Sequence, residues 1–488
     1  MAWTRRAVLV GAGAVAGAAA ARVVTAPSLT GAGLVAPHGG EGVLNDASLL
    51  SETPVASHVV LREDPGEALV AALRAELRAA EAEGRAVNVG AARHSMGAHA
   101  IPRDGRAVTL ESAWMEVDSR AQVIQAHAGL RWRDALAALD PLGLSPKVMQ
   151  SNHDFGIAAT YSVNAHGWPT AFGPMGSTVR RLEMVLPDGS LVEASREENG
   201  DLFRAAMGGY GLVGLLTRLE VEVVPNARLV PVARSLPAAE FSTAFAEAVK
   251  GSPMTYGRLD VSRDSFFEEA LLVSYVEEPG EVPPLEGSGW LSRASRPIFR
   301  AQVGSDLVKR GRWWVETALG PRLSGPSSRS SLLNEPVITL DDRDPTRTDI
   351  LHEYFIPPPR YGEFLEAARD IIRGSYQELL NITVRWVERD VDSLLSYAPD
   401  GPRMASVLLF SQEMTPRAEA DMARMTRDLI DAALSAGGTY YLPYRPHATP
   451  DQFRRAYPRW EEFAALKREV DPELRLGNGF WDNYLAEA

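Results

Sequence analysis

The chain has 488 residues, 45% hydrophobic and 23% charged, with a formal charge of −13 and no cysteine. That is globular composition, long enough for two or three domains of roughly 100–200 residues each. It excludes disulfides, thiolate nucleophiles and cysteine-held metal clusters, and it argues against a general electrostatic grip on nucleic acid.

The N-terminus carries Thr4-Arg5-Arg6 before an Ala/Gly-rich apolar run from Ala7 to Ala21. Paired arginines ahead of a weakly apolar stretch predict a twin-arginine export signal over residues 1–25, and hence a periplasmic or extracellular protein. An uncleaved segment would anchor it at a membrane surface. Residues 26–50 lack periodicity and read as linker. Leu69, Leu73 and Leu77 then recur every fourth residue, which predicts an amphipathic helix from Gly66 to Ala82. A strand over Ala86–Val89 runs into the small-residue turn Gly90–Gly97. Val108–Leu110 and Val123–Ala126 read as strands and Trp132–Leu139 as a helix. Leu182–Leu186 and Leu191–Glu193 flank Asp188-Gly189, a hairpin signal. Leu202–Met207 reads as a helix stopped by Gly208-Gly209, and Leu215–Val224 alternates as a strand. Beyond about residue 225 the pattern changes. A Ser/Arg/Gly-rich stretch, 286–331, reads as irregular and mobile. Tyr354–Ile356, Ile382–Val387 and Ala405–Phe410 read as strands, and Phe364–Ile372 and Met422–Leu434 as helices. Helices mixed with strands predict an α+β or α/β fold.

Three small-residue stretches are candidates for chemistry: Val89–Gly97, Phe155–Gly167 and Gly208–Thr217. Such turns let backbone N–H groups approach an anion or a flat ligand closely. Each is equally compatible with a tight packed turn, and none is a GxGxxG at a strand–helix junction. No GxSxG, HExxH or GxxxxGK(S/T) is present, and the nine histidines are scattered, so no serine-hydrolase elbow, phosphate loop or catalytic metal is expected.

In this order the three stretches resemble the FAD-binding domain of the vanillyl-alcohol oxidase / p-cresol methylhydroxylase type. The carrying residues are Gly90 to Ser95 for (G/A)xxHS, Thr160 to Gly167 ending in SxNxHG, and Leu202 to Thr217 for LFxAxxGGxGxxGxxT. The nearest members by pattern are sugar and alditol oxidases and decaprenylphosphoryl-ribose oxidase. The resemblance implies an FAD-binding domain over 51–226, an inserted antiparallel-sheet substrate (cap) domain over 227–430, and a segment 431–488 that returns to the FAD domain. It implies that Gly90, Ala91, Ala92, Arg93, His94 and Ser95 hold the pyrophosphate. Ser151, Gly156, Ala159, Thr160, Tyr161 and Ser162 would line the isoalloxazine and ribityl chain, and Gly211, Gly214 and Leu215 the adenine half. His94 aligns with the histidine that several such oxidases join covalently to the flavin 8α-methyl, and that link is expected here.

The activity so implied is hydride transfer from a CH–OH group of a sugar, lactone or sugar-like alcohol to flavin N5, with oxygen, a quinone or a redox protein as electron acceptor. Two departures stand out. The closing segment Gly437–His447 lacks the lysine usual in sugar oxidases, leaving Arg445, Tyr441 and Tyr444 as candidate catalytic groups. Thr383-Val384-Arg385 keeps the arginine of an alditol-oxidase Glu-x-Arg strand but not its glutamate, so Arg385 is the remaining candidate there. The missing lysine leaves open a flavoprotein that acts without turnover as a ligand-binding or assembly module. A cytokinin-like amine or an aryl alcohol is the alternative substrate.

Overall fold

The structure is a computed structural model and describes residues 40–286, 299–335 and 344–486. The export segment 1–25 lies outside the described residues. The end of the segment read as linker is part of the fold. Val43–Leu44 pairs with Thr53–Pro54, and the Asp46 carboxylate accepts the Ala98 N–H at 2.8 Å.

The chain mixes helices and sheets, an α+β architecture. Besides that strand pair, the first part holds two larger sheets. Ser57–Leu61, Arg106–Leu110 and Val87–Gly90 form a parallel three-stranded sheet, with Arg106–Leu110 central. The helix Glu67–Glu83 buries Leu69, Leu73 and Leu77 and ends at Gly84, whose φ of 64° supplies the left-handed stop that glycine adopts without strain. The second sheet is antiparallel. Leu215–Pro225 lies at its centre between Val123–His127 and Val179–Val185, and Leu191–Ser195 closes the predicted hairpin.

The second part is an eight-stranded antiparallel sheet. Its middle runs Glu269–Glu277, Met254–Leu259, Glu378–Val387, Arg403–Glu413 and Arg347–Ile356. Side chains alternate across a strand, so its two faces have different tasks. One face is covered by the helices Ala238–Ala248, Tyr361–Arg373 and Pro416–Ser435. Phe241 packs onto Gly257, Tyr361 bonds Ser406 at 2.8 Å and Thr426 meets His352 at 3.1 Å. The other face carries Tyr256, Arg258, Thr383, Arg385, Val407, Glu353 and Phe355, and it looks at the first part of the molecule.

The stretch read as irregular over 286–331 is largely helical where described, with Asp306–Trp314, a π-helical turn Val315–Leu319 and Gly320–Leu323. Its charge-rich composition hid this. Arg312, although charged, turns inward to Glu316 at 2.6 Å and to the Leu380 carbonyl, also at 2.6 Å. The C-terminal segment returns to the first sheet, where Leu476 bridges Val87 and the Gly479 N–H donates to the Ala98 carbonyl. Among the described residues no helix is long and apolar enough to cross a membrane.

Candidate flavin site and catalytic cluster

The three small-residue stretches meet in space. A side chain at Gly156 would lie 2.9 Å from the Ala91 Cβ, so only glycine lets the first and second stretches touch. The His94 ring packs on Phe155 at 4.6 Å. The third stretch docks on the second through Gly208 N–H to the Tyr161 carbonyl (3.1 Å) and Tyr210 N–H to the Ser162 carbonyl (2.9 Å).

The turn after Val87–Gly90 is built to hold an anion. Among the described residues, the backbone N–H groups of Ala91, Ala92, Arg93, His94 and Ser95 have no hydrogen-bond acceptor. Arg93 takes a left-handed φ of 51°, and consecutive free N–H groups around such a residue form an anion-binding concavity. Its side chain folds back beneath the turn, donating to Thr109 Oγ1 at 2.7 Å and to the Val108 and Ala100 carbonyls. Burial, with Arg131 adding to it, lowers that guanidinium to about 10. Arg93 is therefore a strut, and the turn's backbone is the cradle. Asn88, on the preceding strand, is fully buried with both side-chain polar atoms unpartnered, and its amide faces Gly211. Unpartnered buried amides are rare and mark a place for a missing partner. These features fit an FAD with its pyrophosphate on the turn.

Four predicted contacts are redirected. The Thr160 hydroxyl accepts from Trp132 Nε1 at 3.0 Å and the Tyr161 hydroxyl donates to the Phe203 carbonyl at 2.9 Å, so both side chains are core. Gly214 packs against Met184, and Leu215 is buried at the start of a central strand. Their small size or apolarity serves packing.

On the opposite side, the eight-stranded sheet brings a polar cluster against Ser151 and His166. Arg385 donates to Ser151 Oγ at 3.0 Å and to the His166 carbonyl at 3.4 Å, while its Nε is buried without a partner. Glu353 Oε1 lies 2.5 Å from His166 Nε2, off the hydrogen-bonding direction, and has no hydrogen-bond donor among the described residues. The Tyr444 hydroxyl donates to Glu353 Oε2 at 3.2 Å, and the Tyr441 hydroxyl to the Val163 carbonyl at 2.8 Å. Burial first, and Glu353 next, raise the Tyr444 phenol well above its ordinary value, so both keep their protons. Tyr441 is raised in the same sense by burial and by Tyr397.

Arg445 is not brought to this cluster. It bonds Glu419 at 2.5 Å and Ser51 at 2.8 Å, in a separate buried network with His447. Sequence reasoning missed Glu353 and left His166 as a motif member. The signal for Glu353 was a carboxylate inside the otherwise apolar strand around Tyr354-Phe355-Ile356. Glu353 also sits in the same cross-strand row as Thr383, through Val407, and on the same face. The carboxylate lacking at 383 is thus present two strands away, about 10 Å at the usual strand spacing.

Residues 69–195 match the family model described as an FAD binding domain. The chain is an FAD-dependent oxidoreductase. It is 24% identical over 404 residues to an alditol oxidase of Streptomyces sp. (strain IKD472 / FERM P-14339), covering 80% of this chain and 88% of that one. It is 22% identical over 451 residues to the decaprenylphosphoryl-beta-D-ribose oxidase of Mycolicibacterium smegmatis, covering 86% of this chain and 93% of the relative. Cytokinin dehydrogenase 9 of Oryza sativa subsp. japonica is 32% identical over 124 residues, 25% of this chain and 24% of that protein. The similarity to the first two therefore extends well beyond the FAD domain, and the similarity to the third does not.

Proposed function

We propose that this flavoenzyme oxidises a CH–OH group of a sugar, lactone or sugar-like alcohol, with the eight-stranded sheet as its substrate (cap) domain. The observation that carries this reading is the cluster of Glu353, His166, Tyr444, Arg385 and Ser151 where that sheet faces the flavin-binding loops. The two relatives matched along most of their length, an alditol oxidase and a ribose-derivative oxidase, support it.

FAD, when bound, supplies the two-electron acceptor for the substrate's hydride. The protein supplies the rest. Glu353 Oε1, buried and without a hydrogen bond, accepts the hydroxyl proton as the C–H bond breaks. Tyr444 and His166 hold the carboxylate in place. Arg385, fixed by Ser151 and the His166 carbonyl, stabilises negative charge developing beside it, an effect typically worth about 3 kcal/mol. His94 is proposed as the covalent flavin ligand. Burial, reinforced by Arg131 and opposed by Asp154, lowers its pKa, so the imidazole is neutral and nucleophilic at pH 7. Export through Arg5-Arg6, which would carry the chain folded around its cofactor, and an acceptor among oxygen, quinones and redox proteins complete the proposal.

The test is anaerobic bleaching of the bound flavin across alditols, sugars, lactones, aryl alcohols and a cytokinin. Bleaching by a member of the first three classes is expected. Bleaching by none would favour a module without turnover. Bleaching only by an amine or aryl alcohol would move the substrate class.

A further inference from the structure

We infer that the substrate of this site carries an anion, a carboxylate or a phosphate ester, and that Arg258 holds it at the end of the sheet face away from Glu353. The inference rests on the proposed oxidation for the identity of the reacting end. Its own evidence is separate.

Arg258 pairs in register with Thr383, and its neighbour Tyr256 pairs with Arg385. Both lie on the face that looks at the flavin-binding loops, where Tyr256 stacks on Trp168 at 4.8 Å. Arg258, Tyr256, Arg385 and Val407 remain partly exposed in the middle of an eight-stranded sheet, while Glu353, Thr383 and Phe355 on the same face are buried.

Charge on this face does not balance. Arg258 has no carboxylate partner among the described residues. It donates to Asn381 Oδ1 and lies 5.9 Å from the Tyr256 ring. Arg312 donates to the same Asn381 oxygen at 2.9 Å and is paired with Glu316 at 2.6 Å. Burial alone would raise the Glu316 carboxyl, but Arg312 and then Arg258 pull it below its ordinary value, so one carboxylate answers two guanidinium groups. Lys309, Arg300 and Arg347 have carboxylate partners in Glu378, Asp349 and Glu413, whereas Arg385 on the same face, held by Ser151 and the His166 carbonyl, adds a second guanidinium without one.

Hydrogen-bond donors are in surplus on the same face. Trp168 Nε1 and Arg385 Nε are buried without an acceptor. The Asn381 amide, which could have turned, donates to Thr383 Oγ1 at 3.1 Å and so keeps its oxygen on the two arginines. A neutral hydroxyl would satisfy an N–H but would leave the extra charge unbalanced. A carboxylate or phosphate satisfies both, and a guanidinium fork matches either.

Three strand spacings separate Arg258 from Glu353 along one cross-strand row, about 14 Å between backbones. Side chains reaching in from both ends leave a gap that the carbon chain of a sugar acid or sugar phosphate spans. The oxidised hydroxyl is then remote from the anion.

The purified flavin-containing chain is titrated with sorbitol, gluconate and sorbitol 6-phosphate, following perturbation of the flavin absorbance and, without oxygen, its bleaching. At low salt at least one anion should bind about tenfold tighter than sorbitol, and added salt should erode the advantage. Gluconate alone points to a carboxylate, and sorbitol 6-phosphate alone to a phosphate ester. Arg258→Gln should cut the anion-to-sorbitol affinity ratio at least about tenfold, with the flavin spectrum intact. Arg258→Lys, which keeps charge but not the fork, should fall between. Equal binding of all three, no perturbation by either anion, or an unchanged ratio in both variants overturns the inference. Anion binding without bleaching by any alcohol would instead overturn the proposed oxidation and leave the anion site standing.

Discussion

Replacing Glu353 by glutamine separates charge and basicity from packing. The side chain is buried, 3% exposed, and its Oε2 accepts the Tyr444 hydroxyl at 3.2 Å. A glutamine of the same shape keeps an oxygen for Tyr444 and a filled volume, so no cavity forms. Arg385 is anchored by Ser151 and the His166 carbonyl, so the loss of this carboxylate leaves its hydrogen bonds intact. What disappears is the basic Oε1 beside His166. A positioned general base contributes about 10²–10⁴-fold, which is about 3–5 kcal/mol of barrier. The assay is stopped-flow flavin reduction without oxygen, with the FAD-to-protein ratio measured on the same sample. Glu353→Gln should slow reduction by at least 100-fold with FAD content and melting temperature nearly unchanged. Glu353→Asp, with the base one methylene short, should fall between. A Glu353→Gln rate within threefold of the parent, at full FAD content, refutes the assignment of Glu353 as proton acceptor.

Gly156→Val places a branched side chain against Ala91, whose Cβ already lies 2.9 Å from where a Cβ at 156 would start; flavin absorbance after gel filtration should fall by at least about tenfold relative to protein. His99 is buried with both ring nitrogens unpartnered, and burial, with Arg445 adding to it, pushes its pKa down to about 3. The unfolded chain therefore binds a proton that the folded chain refuses, and stability falls as pH drops from about 6.5, by up to about 1.4 kcal/mol per pH unit until about 3. His99→Phe, packed against Tyr210 and Phe480, should flatten the melting temperature between pH 7 and pH 4.5, and an unchanged slope would assign the acid sensitivity to other groups. Acid precipitation followed by mass measurement should find the flavin on the parent chain and not on His94→Ala; full release of flavin from the parent removes the covalent assignment. Arg5→Lys with Arg6→Lys should hold the protein in the cytoplasm, read by fractionation, and normal export would rule out the twin-arginine route.

The sequence by itself carried the cofactor. The backbone turn Gly90–Ser95, the glycine at 156 and the Gly208–Gly211 run are local devices, because small residues and left-handed backbone are written into a few consecutive positions. Their order along the chain was enough to predict an FAD-binding domain, and the hairpin at Asp188-Gly189 and the helix bearing Leu69, Leu73 and Leu77 were legible from periodicity for the same reason. The candidate catalytic cluster was not local. Glu353, Arg385 and Ser151 lie far apart in sequence and meet only because antiparallel register places 353, 383 and 407 in one row of the sheet and 355, 385 and 405 in the next. Alternation then decides which face each side chain takes. The same geometry took Arg445 away to Glu419 and moved the carboxylate from position 383 to 353. Which charges remain unpaired is likewise a property of the assembled face. Arg258 and Arg312 look alike in the sequence, and only the fold gives one a carboxylate and leaves the other without one.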